Sequence, residues 1–488
     1  MLFLAIDLGS TNTKAAIYDE RMQMLAAQSV PVNYIRAGGF VEFNPDGYVE
    51  NLLSLIRSLL DSGAFRQDER IRITLTGQAE SLVVLHASGK PLMNAISWMD
   101  DRSLAECAEL EAAFPGETCY AHTGQPAALP TWPATKILWL REHRPDIFSA
   151  AAHYVLLKDY VVYRLTGRLV ADCSIATFTF YFDIYQRRYW PEMLRFLCIS
   201  ERQLPPLTEP CETAGSLLPE IAETVGLSTC VSVNLGTLDH FCGMIGTGNV
   251  REGLLSLSTG TVLGLSTLAD KYAPRGTGIP MHYGFLPGQY VMLPVAESGG
   301  VSLEWYKHAF LPNTDFAEID RVAEERRPGD VLFLPYLVGT NAPEFDRDAC
   351  GAFFGLRSPH DAFDLALAVM EGVCHLLRKN CDRIRASGTP IERIIATGGG
   401  AKSAVWCQMQ ADVTGIPVSI PAEKEAALLG AAMIGATAAG VFTSLADAAE
   451  RTIRIARTYE PQTNAVSERK YRQFLALYDA MLAIQRMD

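Results

Sequence analysis

Not one Cys-x-x-Cys pair occurs among the eleven cysteines of this 488-residue chain. The odd number and the scatter of residues such as Cys198, Cys242, Cys374 and Cys407 favour reduced thiols in a cytoplasmic setting over a disulfide framework or a zinc site. Positive charge is also short. With 42 Lys and Arg against 55 Asp and Glu, the formal net charge is -13, which repels a nucleic-acid backbone outside any local basic patch. Long apolar runs are missing too. The most apolar stretch, 426–441, is shorter than a membrane span and interrupted by glycines, so a buried helix is expected there and no membrane. The opening apolar run stops at Asp7 without the basic flank or cleavage site of a signal peptide, and reads as a first strand. Neither a P-loop nor a dinucleotide fingerprint occurs at the glycine clusters.

What is present begins at that strand. Residues 2–6 are apolar, Asp7-Leu8-Gly9-Ser10-Thr11-Asn12-Thr13-Lys14 follows, and 15–18 are apolar again, the pattern of strand, tight turn and strand. Backbone N–H groups, hydroxyls and the Lys14 ammonium in such a hairpin can wrap phosphates, while Asp7 can hold a hydrated divalent cation. A second hairpin of the same kind is centred on Leu257-Ser258-Thr259-Gly260-Thr261. A third cluster, Thr397-Gly398-Gly399-Gly400-Ala401-Lys402-Ser403, follows an apolar run, and three adjacent glycines signal close backbone approach. These segments are too far apart for one local loop, so a cleft between two domains is implied. The length suits two domains of roughly 200 to 250 residues, and the boundary is placed near 249–252, giving domains 1–248 and 249–488.

Strands are expected at 24–31, 71–77, 82–85, 96–98, 230–235, 254–258, 262–266, 391–396 and 417–420. Helices are expected at 44–60 with Asp46 as cap, at 135–142 and 154–165, at 241–246, at 362–384 capped by Asp361, and at 404–414, 425–439 and 470–485. Two polar clusters, Gln78-Ala79-Glu80 and Asp100-Asp101-Arg102, leave neighbouring strands side by side. Asp239 stands where a strand meets a helix, the place of an N-cap.

Those residues, in that order, resemble the FGGY family of carbohydrate kinases over essentially the whole chain. Residues 133–140 (PATKILWL) resemble the family's first signature, and Gly398 to Ser403 with Glu425-Ala426-Ala427-Leu428-Leu429-Gly430 resemble the second. The resemblance implies an α/β fold of two ribonuclease-H-like, actin-like ATPase domains flanking a catalytic cleft that closes during turnover. It implies MgATP bound mainly by the second domain and a sugar or polyol bound mainly by the first. Carried across, Asp7 resembles the metal-associated aspartate, joined at the metal by Asp239. Thr11, Asn12, Thr13 and Lys14 resemble the first phosphate loop, and Ser258, Thr259, Gly260 and Thr261 the second. Gly398, Gly399 and Gly400 resemble the wall against the adenosine, with Lys402 and Ser403 as further candidate ATP contacts. Asp239 resembles the catalytic base.

Candidate substrate contacts are Gln78, Ala79, Glu80, Trp98, Asp100, Arg102, Asp239 and His240, with Trp98 read first as packing. Glycerol kinases resemble the chain at Gln78 and Glu80 but carry arginine where Ala79 stands and an aromatic residue near Thr131. Xylulose kinases carry Met-His at Ala79-Glu80. The expected reaction is ATP- and Mg2+-dependent phosphorylation of a small neutral sugar, a ketopentose such as xylulose first and a glycerol- or erythritol-type polyol second. The competing class is an actin-like filament or chaperone ATPase, which would leave the polar clusters without a purpose. A homodimer is left open.

Overall fold

The first strand, Leu2–Leu8, shows no polar alternation because it lies inside a six-stranded sheet with both faces covered. It pairs antiparallel with Asn12–Tyr18, which sets Asp7 opposite Lys14, and parallel with Ile71–Gly77. Met24–Pro31 continues the hairpin side as an alternating edge strand. On the other side Ser232–Leu238 runs parallel and Thr213–Ser216 closes the edge antiparallel. The computed structural model describes residues 1–63, 70–271, 278–326, 328–340, 344–346, 348–462 and 465–487.

An eight-stranded second sheet repeats this plan. Gly253–Thr259 and Leu263–Ala269 form its antiparallel hairpin, Ile391–Thr397 and Val418–Pro421 add parallel strands, and Ile455–Tyr459 closes the edge antiparallel. The likeness of the two hairpins therefore extends to strand order and direction. The long helix Ala362–Ala386 packs in the second half, with Asp361 accepting from the Phe363 and Asp364 amides at 2.9 and 3.0 Å. Among the described residues no helix is long and apolar enough to cross a membrane.

Three expected elements need correction. Asn44, not Asp46, caps the helix Pro45–Leu60, accepting from the amides of Asp46 and Gly47 at 3.0 and 3.1 Å. Asp46 instead accepts from the Tyr160 hydroxyl at 2.6 Å and pairs with Arg164. The expected helix at 154–165 begins as a strand, His153–Leu156, which pairs antiparallel with Leu82–Leu85 before the helix Leu157–Thr166 starts; a short apolar run cannot be told apart by period alone. The expected strand at 96–98 shortens to Ala95–Ile96, because Ser97 starts a turn whose carbonyl accepts from the Asp100 amide at 3.2 Å.

The two sheets are joined by two small-residue helices, Asp239–Gly246 and Ala426–Ala438. A Cβ on Gly246 would lie 1.9 Å from the Ala426 carbonyl oxygen, and one on Gly430 would lie 1.9 Å from that of Cys242. No side chain fits at either point, so the backbones touch. The Ala426 helix also seats on the first sheet, where a Cβ on Gly435 would stand 2.5 Å from Thr74 Oγ1. Gly430→Ala is expected to destabilise the protein by about 1 to 3 kcal/mol through overpacking. Gly243→Ala on the facing helix, where an added Cβ meets nothing within 4 Å, is expected to be neutral or to stabilise by up to about 1 kcal/mol. Denaturation curves of both variants test this; equal effects would overturn the close-contact account.

Candidate active site

The first phosphate-type hairpin turns tightly at Gly9, where a Cβ would stand 2.5 Å from the Asn12 carbonyl oxygen. The Gly9 carbonyl accepts from the Tyr48 hydroxyl and from Gln78 Nε2, both at 3.2 Å, so the turn is tied to the Gln78 cluster. Thr11 is exposed, Asn12 and Lys14 are half-buried, and Thr13 is buried. Lys14 Nζ lies 2.7 Å from Glu425 Oε2, the residue just before the Ala426 helix, so one ion pair crosses between the halves. Glu425 was not anticipated as a site residue, although it sits within the second signature. Asp7 Oδ1 is buried without a partner. Burial first, then the Asp239 charge, pushes the Asp7 carboxyl upward against the pull of Lys14.

In the second half, Ser258 and Thr259 end a strand and Gly260 and Thr261 turn out of it. The triple glycine explains itself here. Gly398 takes a φ of +82°, and a Cβ on Gly400 would meet Thr259 Cγ2 at 2.7 Å, so Gly398 to Gly400 press directly on the Thr259 turn. A further glycine pair, Gly299-Gly300, meets the same turn. The Gly300 amide donates to the Gly260 carbonyl at 2.7 Å, and a Cβ on Gly299 would lie 2.4 Å from the Val262 backbone. This ties the N-terminus of the helix Gly300–Phe310 to the same turn, since the Val301 amide also donates to the Thr261 carbonyl, at 3.3 Å. Lys402 is exposed. The Ser403 hydroxyl is already engaged, donating to Asp320 at 2.7 Å and capping the helix Ala404–Thr414 through the Trp406 amide at 3.2 Å.

Between the halves lies a cavity of about 510 Å³. Gln78, Ala79, Glu80, Trp98, Asp239 and His240 line it from the first half, with Val262, Gly264, Val295 and Glu297 opposite and Trp132 and Phe178 as apolar wall. Trp98 is 39% exposed, a wall residue and not the packed side chain expected. Asp239 is the first residue of its helix, one past the cap position, and its Oδ1 accepts from the His240 amide at 2.6 Å. Burial raises its carboxyl pKa.

Glu80 has a left-handed backbone (φ 66°), a strained state for a non-glycine residue. Its Oε2 accepts from the Thr131 hydroxyl at 2.7 Å and its carbonyl from Lys136 Nζ at 3.0 Å. Lys136, in the middle of the first signature, is fully buried and was not anticipated as part of the site. Burial pushes Glu80 up and Lys136 down, each opposed by the other's charge.

Asp100 and Arg102, expected beside Glu80, are not on the cavity wall; their side chains are 0% and 1% exposed. Arg102 folds back on Asp100, with Nε to Oδ1 at 2.7 Å and one terminal nitrogen to Oδ2 at 2.8 Å, and also reaches Glu42 at 2.7 Å. Its guanidinium lies 4.0 Å from the Phe40 ring centroid and 4.8 Å from that of Trp139. The two-residue spacing that looked like a polar cluster suits this bidentate closure, which pins the strand Phe40–Phe43 to the signature helix Pro133–His143.

At the far wall His282 stacks on Phe178 with centroids 4.2 Å apart, and Gln125 Nε2 lies 3.4 Å from its Nδ1. Burial, then the nearby His240, pushes its imidazole down to about 3 from 6.5. A depressed histidine contributes stability that is present in full above pH 6.5 and lost as pH falls towards 3, with a slope of about 1.4 kcal/mol per pH unit. His282→Gln is therefore expected to narrow the gap between urea stabilities at pH 7.5 and pH 5. An unchanged gap would mean that His282 does not resist protonation in the fold.

Residues 2–246 match the N-terminal domain of the FGGY family of carbohydrate kinases, and residues 253–439 match its C-terminal domain. The chain is 30% identical to the xylulose kinase of Bacillus subtilis, across 97% of this chain and 95% of that protein. It is 28% identical to the gluconokinase of the same organism, across 97% and 94% respectively. The crystal structure of xylulose kinase from Rhodospirillum rubrum superposes with a TM-score of 0.93, covering 99% of this chain and 100% of that one at 26% identity. With both domains matched in order, each on one of the two sheets that bound the cavity, the chain belongs to the FGGY family of carbohydrate kinases, enzymes that phosphorylate a sugar at the expense of ATP.

Proposed function

We propose that this enzyme transfers the γ-phosphoryl group of MgATP to a hydroxyl of a neutral ketopentose, xylulose before others, with residues 1–248 holding the sugar and 249–488 the nucleotide. The observation that carries the reading is the joint presence of Gln78, Glu80 and Asp239 on one cavity wall that meets the Thr259–Thr261 side at Val262. Carboxylates and amides accept from the many hydroxyls of a neutral sugar. Among the described residues none that lines the cavity is Lys or Arg, and Arg102 is turned away from it, which favours a neutral sugar over an aldonic acid. The small side chain of Ala79 on the cavity wall leaves a space that a three-carbon polyol would fill poorly. The likeness to xylulose kinases supports the same choice.

Phosphoryl transfer asks the protein for position and charge neutralisation more than for covalent chemistry. Asp239, at the start of its helix, accepts the proton of the attacking hydroxyl and orients it in line. Lys14, held by Glu425, faces the terminal phosphates across the hairpin, and backbone amides around Thr261 share the developing charge. Among the described residues no group of three or more His, Cys, Asp or Glu is arranged to hold a metal. Mg2+ suits such a site, because it takes one or two carboxylates and completes its shell with water and phosphate oxygens. The unpartnered buried Asp7 Oδ1 fits it, with Asp239 adjacent. Bound there, Mg2+ would neutralise charge on the transferring phosphates.

Initial rates of ADP formation with xylulose, ribulose, glycerol, erythritol and gluconate test the substrate class. The highest kcat/KM is expected with xylulose and the lowest with gluconate; selective turnover of gluconate would overturn the reading. Asp239→Asn keeps the shape and serves equally well at a helix start, but loses the proton acceptor. Its kcat is expected to fall by about 10²- to 10⁴-fold, with melting temperature and ATP-analogue affinity near the parent. Retention of more than about a tenth of the parental rate, with chemistry limiting, would remove Asp239 from the role of base.

A further inference from the structure

The strand that delivers Asp239 is irregular just before it does so. Its register against Ile71–Gly77 shifts between Asn234 and Thr237, and Gly236 takes a φ of +58° where a Cβ would stand 1.8 Å from the Leu75 carbonyl oxygen. A bulge of this kind re-aims the residues that follow it. Among the described residues, the Asp239 carboxylate accepts only from the adjoining His240 amide, so no other side chain fixes its direction. The backbone must.

Under the bulge lies a chain of polar side chains, all 0% exposed and none on the cavity wall. Lys158 Nζ donates to the Leu235 carbonyl at 2.8 Å and pairs with Asp172. Asp172 accepts from the Ser174 hydroxyl and from the Ile175 amide at 3.1 Å. Ser174 Oγ lies 2.6 Å from Thr237 Oγ1, and the Thr237 carbonyl accepts from the Thr76 hydroxyl at 2.9 Å. The chain of bonds thus grips Leu235 and Thr237, the residues four and two before Asp239. A buried ion pair is a poor stabiliser against an apolar replacement, since desolvation offsets its attraction; what it does supply is direction.

We infer that Lys158, Asp172 and Ser174 are positioning residues which, through Thr237, hold the bulged strand so that Asp239 points at the substrate hydroxyl. The inference rests on Asp239 as base. The relay moves no proton to substrate; it fixes where the acceptor stands, and misplacement by a fraction of an ångström lowers the rate of the chemical step.

Thr237→Val removes the hydroxyl at nearly constant volume and leaves the buried ion pair intact. Its kcat for the sugar is expected to fall by about tenfold to a hundredfold, with sugar KM, ATP-analogue affinity and melting temperature near the parent, and Thr237→Ser is expected to restore the rate. In an Asp239→Asn background, Thr237→Val is expected to cost nothing further, because the group it aims is gone. A Thr237→Val enzyme with parental kcat, or one whose loss persists in full in the Asp239→Asn background, would overturn the relay. Ser174→Ala breaks the same link from the other end and decides the matter if Thr237→Val folds poorly. Failure of the base assignment is separately visible, as an Asp239→Asn single variant that keeps its rate.

Discussion

The close approach of the helices Asp239–Gly246 and Ala426–Ala438 is the constraint on which the rest depends. At Gly246 and Gly430 two backbones meet with no room for a methyl group, and this contact sets the last turn of one helix against the first turn of the other. Asp239 begins one helix and Glu425 immediately precedes the other. Through Glu425 the second half reaches Lys14 on the first hairpin. A half-exposed ion pair contributes little to stability, but here it fixes the position of the ammonium proposed to meet the phosphates.

Charge in the wrong place for stability is concentrated around the cavity. Asp7 keeps an unpartnered buried oxygen, Glu80 stands in a strained backbone state over the buried Lys136, and Lys158 and Asp172 are fully enclosed. Each would be cheaper as an apolar residue. Such groups persist where function needs a fixed acceptor or cation, which is the sense in which the fold is weakened at its centre and repaid by the apolar cores on either side.

Much of this was readable from residues alone. Apolar runs bounded by Gly-Ser-Thr turns marked both hairpins, because a strand buried on both faces must be apolar throughout. The triple glycine marked close approach, and the structure supplies its partner, Thr259. What failed was what depends on direction. Asp100 and Arg102 leave a strand next to the Glu80 turn, yet sequence order does not say that their side chains close on each other away from the cavity. Lys136 and Lys158 looked like ordinary helix residues, since nothing local records that the helix face carrying them is buried under a turn or a bulge. Gly299 and Gly300 carry a weaker signal than Gly398 to Gly400, two adjacent glycines before a helix, although they press on the Gly260 and Val262 backbone just as closely.

The central claim is that the two halves form one site, closing on sugar and nucleotide together so that transfer occurs out of water. Small-angle X-ray scattering on the protein alone, with xylulose, with a non-hydrolysable ATP analogue, and with both tests it most directly. The radius of gyration is expected to be smallest with both ligands bound. A radius unchanged from the free protein, in a sample where binding of both has been verified, would contradict the account.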